Sequence, residues 1–316
     1  MLPGATNSLA VWYAGNKKIT KRTFSACVVN IRPAAIYLNG IFSFRFVIIP
    51  LLSIDKSKIK VVLCPRGMLQ SGALAGKSFK KKLYLNTLKL SGLLKNITWH
   101  ATNAEEEGDI KKIFGNKARV VVAANIAKLP VNTIVASKKI PGQLRLIYLS
   151  LIAEKKNLLQ VIELVNTSSA NISLDIYGPV KDAAHWKKCE QAIAAGNGKI
   201  KYMGELRPEQ VQDTFSQYDA SILLTKGENF GHALYESLSV GRPIITSFFT
   251  PWNELEQKRA GWNLDISNMD ECMNKLELIA QMDNDTFNIY CDGAYKMAKL
   301  YYVEAGDLTN YYKMFV

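Results

Sequence analysis

Two carboxylates, a histidine and two glycines crowd the stretch Thr225-Lys-Gly-Glu-Asn-Phe-Gly-His-Ala-Leu-Tyr-Glu236, directly after the apolar run Ser221–Leu224. Gly227 and Gly231 let the backbone approach a ligand closely, and Ala233 to Leu238 has helix-forming composition. The pattern describes a helix N-terminus aimed into a cleft. Its N–H groups and positive dipole end would stabilise a diphosphate or the charge developing on a leaving phosphate. Glu228 sits on the loop and Glu236 about one turn into the helix, so the pair can grip hydroxyls at both ends of one nucleotide sugar. Spacing alone is a weak signal. Glu236 also reads as a solvated helix residue, and Glu228 as a helix cap. The chain has three histidines, His100, His185 and His232, which excludes a His-rich metal site. His100 closes an apolar strand and reads as a core or cleft residue, and His185 beside Trp186 as packing at a helix start.

Elements that would position these residues alternate along the whole chain. Short β-branched runs are predicted as strands at Ala35–Leu38, Lys60–Leu63, Ile97–Ala101 and Ala118–Val122. A second set follows at Leu144–Leu149, Ser173–Tyr177, Ile200–Met203, Ala220–Leu224 and Pro243–Thr246. Helical stretches between them imply βαβ units and parallel sheets covered on both faces. The 316 residues exceed one usual core, and Ser137, Lys138, Lys139, Pro141 and Gly142 interrupt the pattern within 134–143. The expectation is an α/β fold of two doubly wound Rossmann-like domains, 1–139 and 143–298, with 299–316 a helix packing back on the first. Ligands of such sheets collect outside the carboxyl ends of the strands, here in the cleft between two facing domains. Neither G-x-G-x-x-G nor G-x-x-x-x-G-K-[ST] follows a strand, which argues against a dinucleotide enzyme or a P-loop ATPase.

Charge is divided unevenly. Residues 1–140 hold 23 Lys and Arg against five acids, and the remainder 17 against 22, giving the overall +13. The first half is therefore expected to meet something anionic. Its densest part runs from Lys56, Lys60 and Arg66 through Lys77 to Lys80, Lys81, Lys82, Lys89 and Lys95, with Phe79, Leu83, Leu88 and Leu90 interleaved. Two readings fit this amphipathic segment, a solvated helix face packed on the core or a contact with an anionic membrane surface. No nucleic-acid-binding pattern accompanies it. The nearly apolar run Ile36–Ile54 contains Asn39, Gly40, Arg45 and Pro50, so it is read as a strand followed by a helix, not a membrane span. Lys17, Lys18, Lys21 and Arg22 are followed by no uninterrupted apolar core, so no secretory signal is expected. Five scattered cysteines fit reduced thiols in the cytoplasm.

At the Glu228–Glu236 stretch the sequence resembles the Glu-x7-Glu motif of the retaining family 4 (group 1) glycosyltransferases of the GT-B fold, in the variant with Asn-Phe-Gly-His after the first glutamate. Further segments agree in order and distance: Tyr148 to Leu158, Ile176-Tyr-Gly-Pro179 with His185-Trp186, and Tyr202 to Leu206. Gly241-Arg-Pro-Ile244, Thr250-Pro-Trp252 and Gly261-Trp262 complete the set. Tyr37-Leu-Asn39, Pro65 to Leu69 and His100 to Asn103 resemble, more loosely, the bacterial members that build surface polysaccharides such as capsule and lipopolysaccharide. The family's first βα units, with their glycine-rich loop, have no counterpart before Ala35, so an incomplete acceptor half is expected.

The resemblance implies a metal-independent enzyme without a cofactor, whose donor substrate is a UDP- or GDP-sugar and whose acceptor is a glycan or lipid-linked glycan. It assigns Glu236 to the nucleotide ribose and Glu228 to sugar hydroxyls, with Asn229 between them. Phe230, Gly231 and His232 would lie near sugar and phosphates, with Ala233 and Leu234 at the helix start. Lys156, beside Lys155, would neutralise the diphosphate, Leu206 lies on the base-binding loop, and Asn125 occupies the hinge. Two departures stand out. Leu151 replaces an arginine that pairs with the diphosphate, and Arg66 replaces a histidine near the reacting sugar. Arg66, reaching across with Lys155 or Lys156, is the expected substitute cation. The Trp252 region reads either as shaping the donor loop or as a turn before a helix at Asn253–Lys258. The tyrosine-rich segment Tyr290–Tyr312 reads as helical packing.

Overall fold

A computed structural model describes residues 19–75, 78–196 and 198–316; Lys17, Lys18 and Lys77 lie outside the described residues. The chain forms two compact units, Met1–Ala123 with Asn310–Val316, and Ala124–Thr309. The first holds four parallel strands, β1 (Ala35–Asn39), β2 (Lys60–Cys64), β3 (Ile97–Ala101) and β4 (Val120–Val122), ordered as numbered. The second holds six, β5 (Gln143–Leu149), β6 (Asn171–Tyr177), β7 (Ile200–Gly204), β8 (Ala220–Leu223), β9 (Ile244–Ser247) and β10 (Gly261–Leu264), in the order β10-β9-β8-β5-β6-β7. All are parallel, and within each sheet helical segments join consecutive strands except β9 and β10, which are linked by turns. The strand at Gly261–Leu264, short and begun by glycine, escapes the sequence pattern.

Inward-facing aliphatic side chains fill both cores: Leu144, Leu146, Leu174, Ile176 and Ile222 in the second unit, Val61, Leu63, Ile97 and Ile110 in the first. The Ile36–Ile54 run divides into β1, a π-turn at Phe44–Ile48 and a helix at Ile49–Ser53. Among the described residues no helix is long and apolar enough to cross a membrane. Helix Ser78–Leu90 sends Leu85 and Leu88 into the core, but leaves Phe79, Leu83 and Leu90 exposed at 78%, 58% and 87%.

The interrupted stretch 134–143, expected to separate the two domains, lies inside the second unit. Ser137 and Lys139 donate their N–H groups to the Asn288 and Asn284 side chains (2.9 and 3.0 Å). The buried Lys139 ammonium donates to the carbonyls of Ala280 and Ile140 (2.6 and 3.0 Å). A charged side chain buried with its donors satisfied anchors a segment as firmly as an apolar one, and such pairing is invisible to a composition-based boundary. At the C-terminus, a continuous helix Asn284–Ala305 is followed by a separate one, Thr309–Phe315. The latter lies on the first sheet, with Met314 buried beside Val62 and Ala123 and Tyr311 edge-on to His100.

No helix forms at Asn253–Lys258. Glu254 and Arg259 have φ values of 59° and 49°, and the Asn263 side chain takes the N–H of Leu255 (3.3 Å) while donating to the Trp252 carbonyl (2.8 Å). Side-chain hydrogen bonds to the backbone thus compete with helical ones here, of which a single turn remains, Lys258 N–H to the Glu254 carbonyl (3.0 Å).

Candidate active site

Loops at the carboxyl ends of β5, β8 and β9 converge in the second unit. After β5, a single tight turn Glu154–Lys156 ends at Asn157, which is left-handed (φ 58°). After β8 the chain is stitched to that turn: Lys226 N–H and the Thr225 hydroxyl both donate to the Lys155 carbonyl (2.9 and 3.3 Å). Glu228 N–H donates to the Phe249 carbonyl beyond β9 (2.9 Å). These bonds fix the backbone on both sides of Gly227, over which the Lys155 side chain lies; a Cβ on Gly227 would stand 3.1 Å from its Cε.

Within this frame Lys156 and Glu228 form an ion pair, their side chains only 18% and 19% exposed. Gly231 then turns left-handed (φ 77°), with space for no side chain: a Cβ would meet Leu234 and Glu228 at 3.0 and 3.1 Å. Helix His232–Ser239 starts there without a side-chain cap, and its ladder begins with Tyr235 N–H donating to the Gly231 carbonyl (3.0 Å). The first-turn peptide groups of Ala233 and Leu234 consequently lack partners within the helix. Leu234 contributes only backbone to this end, since its side chain is fully buried. Glu236 is half-buried, and desolvation raises its carboxyl above the usual range, an effect Lys128 partly offsets.

An aromatic floor supports the loop. Phe230 packs against Tyr301, Trp252 and Tyr235 at centroid distances of 5.1, 5.4 and 5.9 Å, and His232 sets its exposed ring edge-on to Phe230 at 4.8 Å. Trp252 donates its indole N–H to the Phe230 carbonyl (2.5 Å). Tyr235 and Tyr301 tie the floor to the carbonyls of Lys128 and Asn125 (2.8 and 2.9 Å). Of the residues singled out in sequence, Lys155, Lys156, Glu228, Asn229, Phe230, Gly231, His232, Ala233 and Leu234 thus share one neighbourhood. Leu206 joins it through a small cluster with Ala233, Tyr177, Phe215 and Val240. Leu151 is half-exposed. Lys128 and Tyr301 were not singled out for this site; nothing in their spacing marks them, because both arrive from distant chain segments.

Arg66 belongs to the first unit, beyond the carboxyl end of β2. It occupies the left-handed region (φ 55°), as does Gly67 (φ 72°). Its guanidinium donates to the Asn39 side chain (3.0 Å) and the Tyr37 hydroxyl (3.3 Å). His100 Nε2 donates to the Ala123 carbonyl (2.9 Å), leaving Nδ1 to accept from Tyr37 (2.5 Å). Burial holds His100 below the ordinary imidazole range, which keeps this ring neutral, and raises the Tyr37 hydroxyl. Glu106, also overlooked in sequence, is fully buried behind the turn. It accepts from Gly67 N–H (2.6 Å), Thr102 N–H (2.8 Å) and the Thr102 hydroxyl (2.7 Å). Among the described residues no cluster of three or more His, Cys, Asp or Glu is arranged to hold a metal ion.

Residues 132–288 match the family of glycosyl transferases group 1. No curated protein sequence matches the chain. Among solved structures, it is similar to sucrose-phosphate synthase from Thermosynechococcus elongatus (12% identity, TM-score 0.75, covering 93% of this chain and 76% of that one). It is also similar to Anabaena HepE in complex with UDP and glucose (13%, 0.71, 88% and 77%) and to a glycosyltransferase from Rickettsia africae (12%, 0.68, 97% and 84%). Two all-parallel sheets, a loop at the carboxyl edge of the second and these likenesses together show the GT-B fold, with residues 132–288 similar to the glycosyl transferases group 1.

Proposed function

We propose that the protein is a retaining, metal-independent glycosyltransferase of family 4, moving a hexosyl group from a UDP- or GDP-sugar to a glycan or lipid-linked acceptor in bacterial surface-polysaccharide synthesis. The observation that carries this reading is the Lys156–Glu228 pair beside the uncapped start of helix His232–Ser239. It sets a cation for the diphosphate against a carboxylate for the sugar, with helix N–H groups alongside. Glu236 binds the ribose, while Asn229, Phe230, Gly231 and His232 line the sugar and phosphate positions. Leu206 flanks the base and Lys155 adds a second cation. As the glycosidic bond breaks, negative charge grows on the diphosphate, and Lys155, Lys156 and the helix start offset it without reorganising. Arg66 is the further cation proposed for turnover, and the acceptor hydroxyl adds on the face from which the diphosphate departs. UDP bound to HepE favours a uridine donor. A cytoplasmic protein touching an anionic membrane face would use the exposed Phe79, Leu83 and Leu90 with Lys80 and Lys82.

Calorimetry with UDP, GDP and their sugars, on the native protein and on Glu236→Ala, tests the donor site. Selective binding of one nucleotide, lost in the variant, is expected, together with diphosphate release when acceptor is added and an unchanged anomeric configuration in the product. A second reading rests on Leu151, half-exposed where the resemblance places an arginine: a sugar-nucleotide-binding protein without turnover. Nucleotide binding with no diphosphate released from any donor and acceptor pair would favour it.

A further inference from the structure

A cavity of about 730 Å3 opens in the first unit at the amino ends of β2, β3 and β4. It therefore lies at the sheet edge opposite to the one bearing Arg66, which follows the carboxyl end of β2. Five cations line it, Lys60, Lys89, Lys95, Lys117 and Arg119, and no carboxylate does. Lys60 donates to the main-chain oxygen of Val316 and Lys89 to the Ile113 carbonyl (3.0 Å). Among the described residues Lys89, Lys95, Lys117 and Arg119 form no ion pair, although Lys58 and Lys111, close by in sequence, pair with Asp55 and Glu107. The wall behind them is rigid, because Trp99 stacks on Phe114 at 4.6 Å.

Mutual repulsion of the four remaining like charges, Lys89, Lys95, Lys117 and Arg119, is a standing cost that local acids would ordinarily relieve. We propose that this groove binds a phosphate group carrying at least two negative charges, which supplies the missing countercharge. The binding is independent of the donor site and does not rest on the transferase reading. Lysine suits the task as a compact point charge, and Arg119 adds a planar fork for two phosphate oxygens. The phosphate has two sources, a soluble phosphate compound or a lipid headgroup. Leu90, 87% exposed on the groove wall, would meet the apolar part of the latter.

The test is a titration of the full chain with inorganic pyrophosphate at low and high salt, on the native protein, on Lys95→Ala/Lys117→Ala/Arg119→Ala and on Lys156→Met. These three groove side chains are exposed, so the fold should survive, and an unchanged thermal midpoint verifies it. Each cation contributes about a factor of five, so the triple variant should bind roughly 100-fold more weakly, while Lys156→Met retains groove binding. Native binding should weaken as salt rises. Sedimentation with phosphatidylcholine vesicles, with and without phosphatidic acid, whose phosphomonoester headgroup reaches two negative charges, separates the sources. Phosphatidic-acid-dependent binding lost in the triple variant identifies a headgroup; pyrophosphate binding alone identifies a soluble phosphate. Pyrophosphate affinity unchanged in the triple variant, binding abolished by Lys156→Met alone, or no binding of either probe overturns the proposal.

Discussion

Replacing Lys156 by methionine keeps an apolar stem of similar length and deletes the charge. Glu228 would then be stranded, since its side chain is four-fifths covered and its N–H is pinned to the Phe249 carbonyl. Removing one partner of a fully buried pair costs about 3–5 kcal/mol, whereas an exposed pair contributes about 1 kcal/mol or less. A pair covered to this extent falls between, at about 2 kcal/mol, which lowers the thermal midpoint by about 4–8 °C for a unit of this size. Lys156→Met combined with Glu228→Gln leaves no stranded charge, so most of the stability should return and the double-mutant cycle should show coupling of about 2 kcal/mol. Donor binding should not return, because a charge-assisted bond to phosphate contributes about 1.5–3 kcal/mol, or roughly 10- to 150-fold in UDP affinity. Urea denaturation followed by tryptophan fluorescence and UDP calorimetry, on all members of the cycle, measure both quantities. Single-variant losses that simply add, within about 0.5 kcal/mol, would refute the coupling. Native UDP affinity in Lys156→Met would refute its role at the diphosphate, whatever coupling the cycle shows.

Other perturbations have equally definite signs. Burial raises the Glu236 carboxyl above its ordinary 4.5, so its ionised form costs stability as pH rises through the shifted value. Glu236→Gln should therefore be more stable than the native protein near neutrality, with the difference vanishing below the ordinary value, yet bind UDP more weakly; pH-dependent denaturation read beside calorimetry checks both. His100 is shifted the other way, below 6.5, so stability it contributes above that pH is lost as pH falls through the depressed value. His100→Gln should flatten this acid-side loss in a series of urea midpoints. Gly231→Ala forces a Cβ into a left-handed residue already crowded by Leu234 and Glu228, costing about 1–2 kcal/mol or more, with UDP affinity falling alongside stability. Glu106→Ala would remove the shared acceptor of the Gly67 N–H, the Thr102 N–H and the Thr102 hydroxyl, costing about 1–3 kcal/mol in chemical denaturation, while Arg66→Ala, at an exposed side chain, should spare stability and slow turnover.

Nine of the ten strands, both parallel sheets and the Glu228–Glu236 loop were legible in the chain itself. Their signals are local: β-branched runs, glycines where the backbone must approach closely, a helix-forming stretch directly after a strand and its loop. Positions whose partners are distant in sequence were not legible. Lys139 looks like linker material until the carbonyl of Ala280 satisfies it, and Glu106 looks like one of three helix-start acids until Gly67 and Thr102 donate to it. The Asn253–Lys258 helix failed because Asn263 competes for its backbone from the following strand. The sequence by itself determined which backbone pieces form and which residues reach the sheet edges. Only the tertiary structure decided that Lys156 meets Glu228, that Phe230 rests on Trp252 and Tyr301, and that five cations surround one cavity. Ion pairs, aromatic contacts and shared electrostatic fields depend on distance through space, which spacing along a chain does not encode.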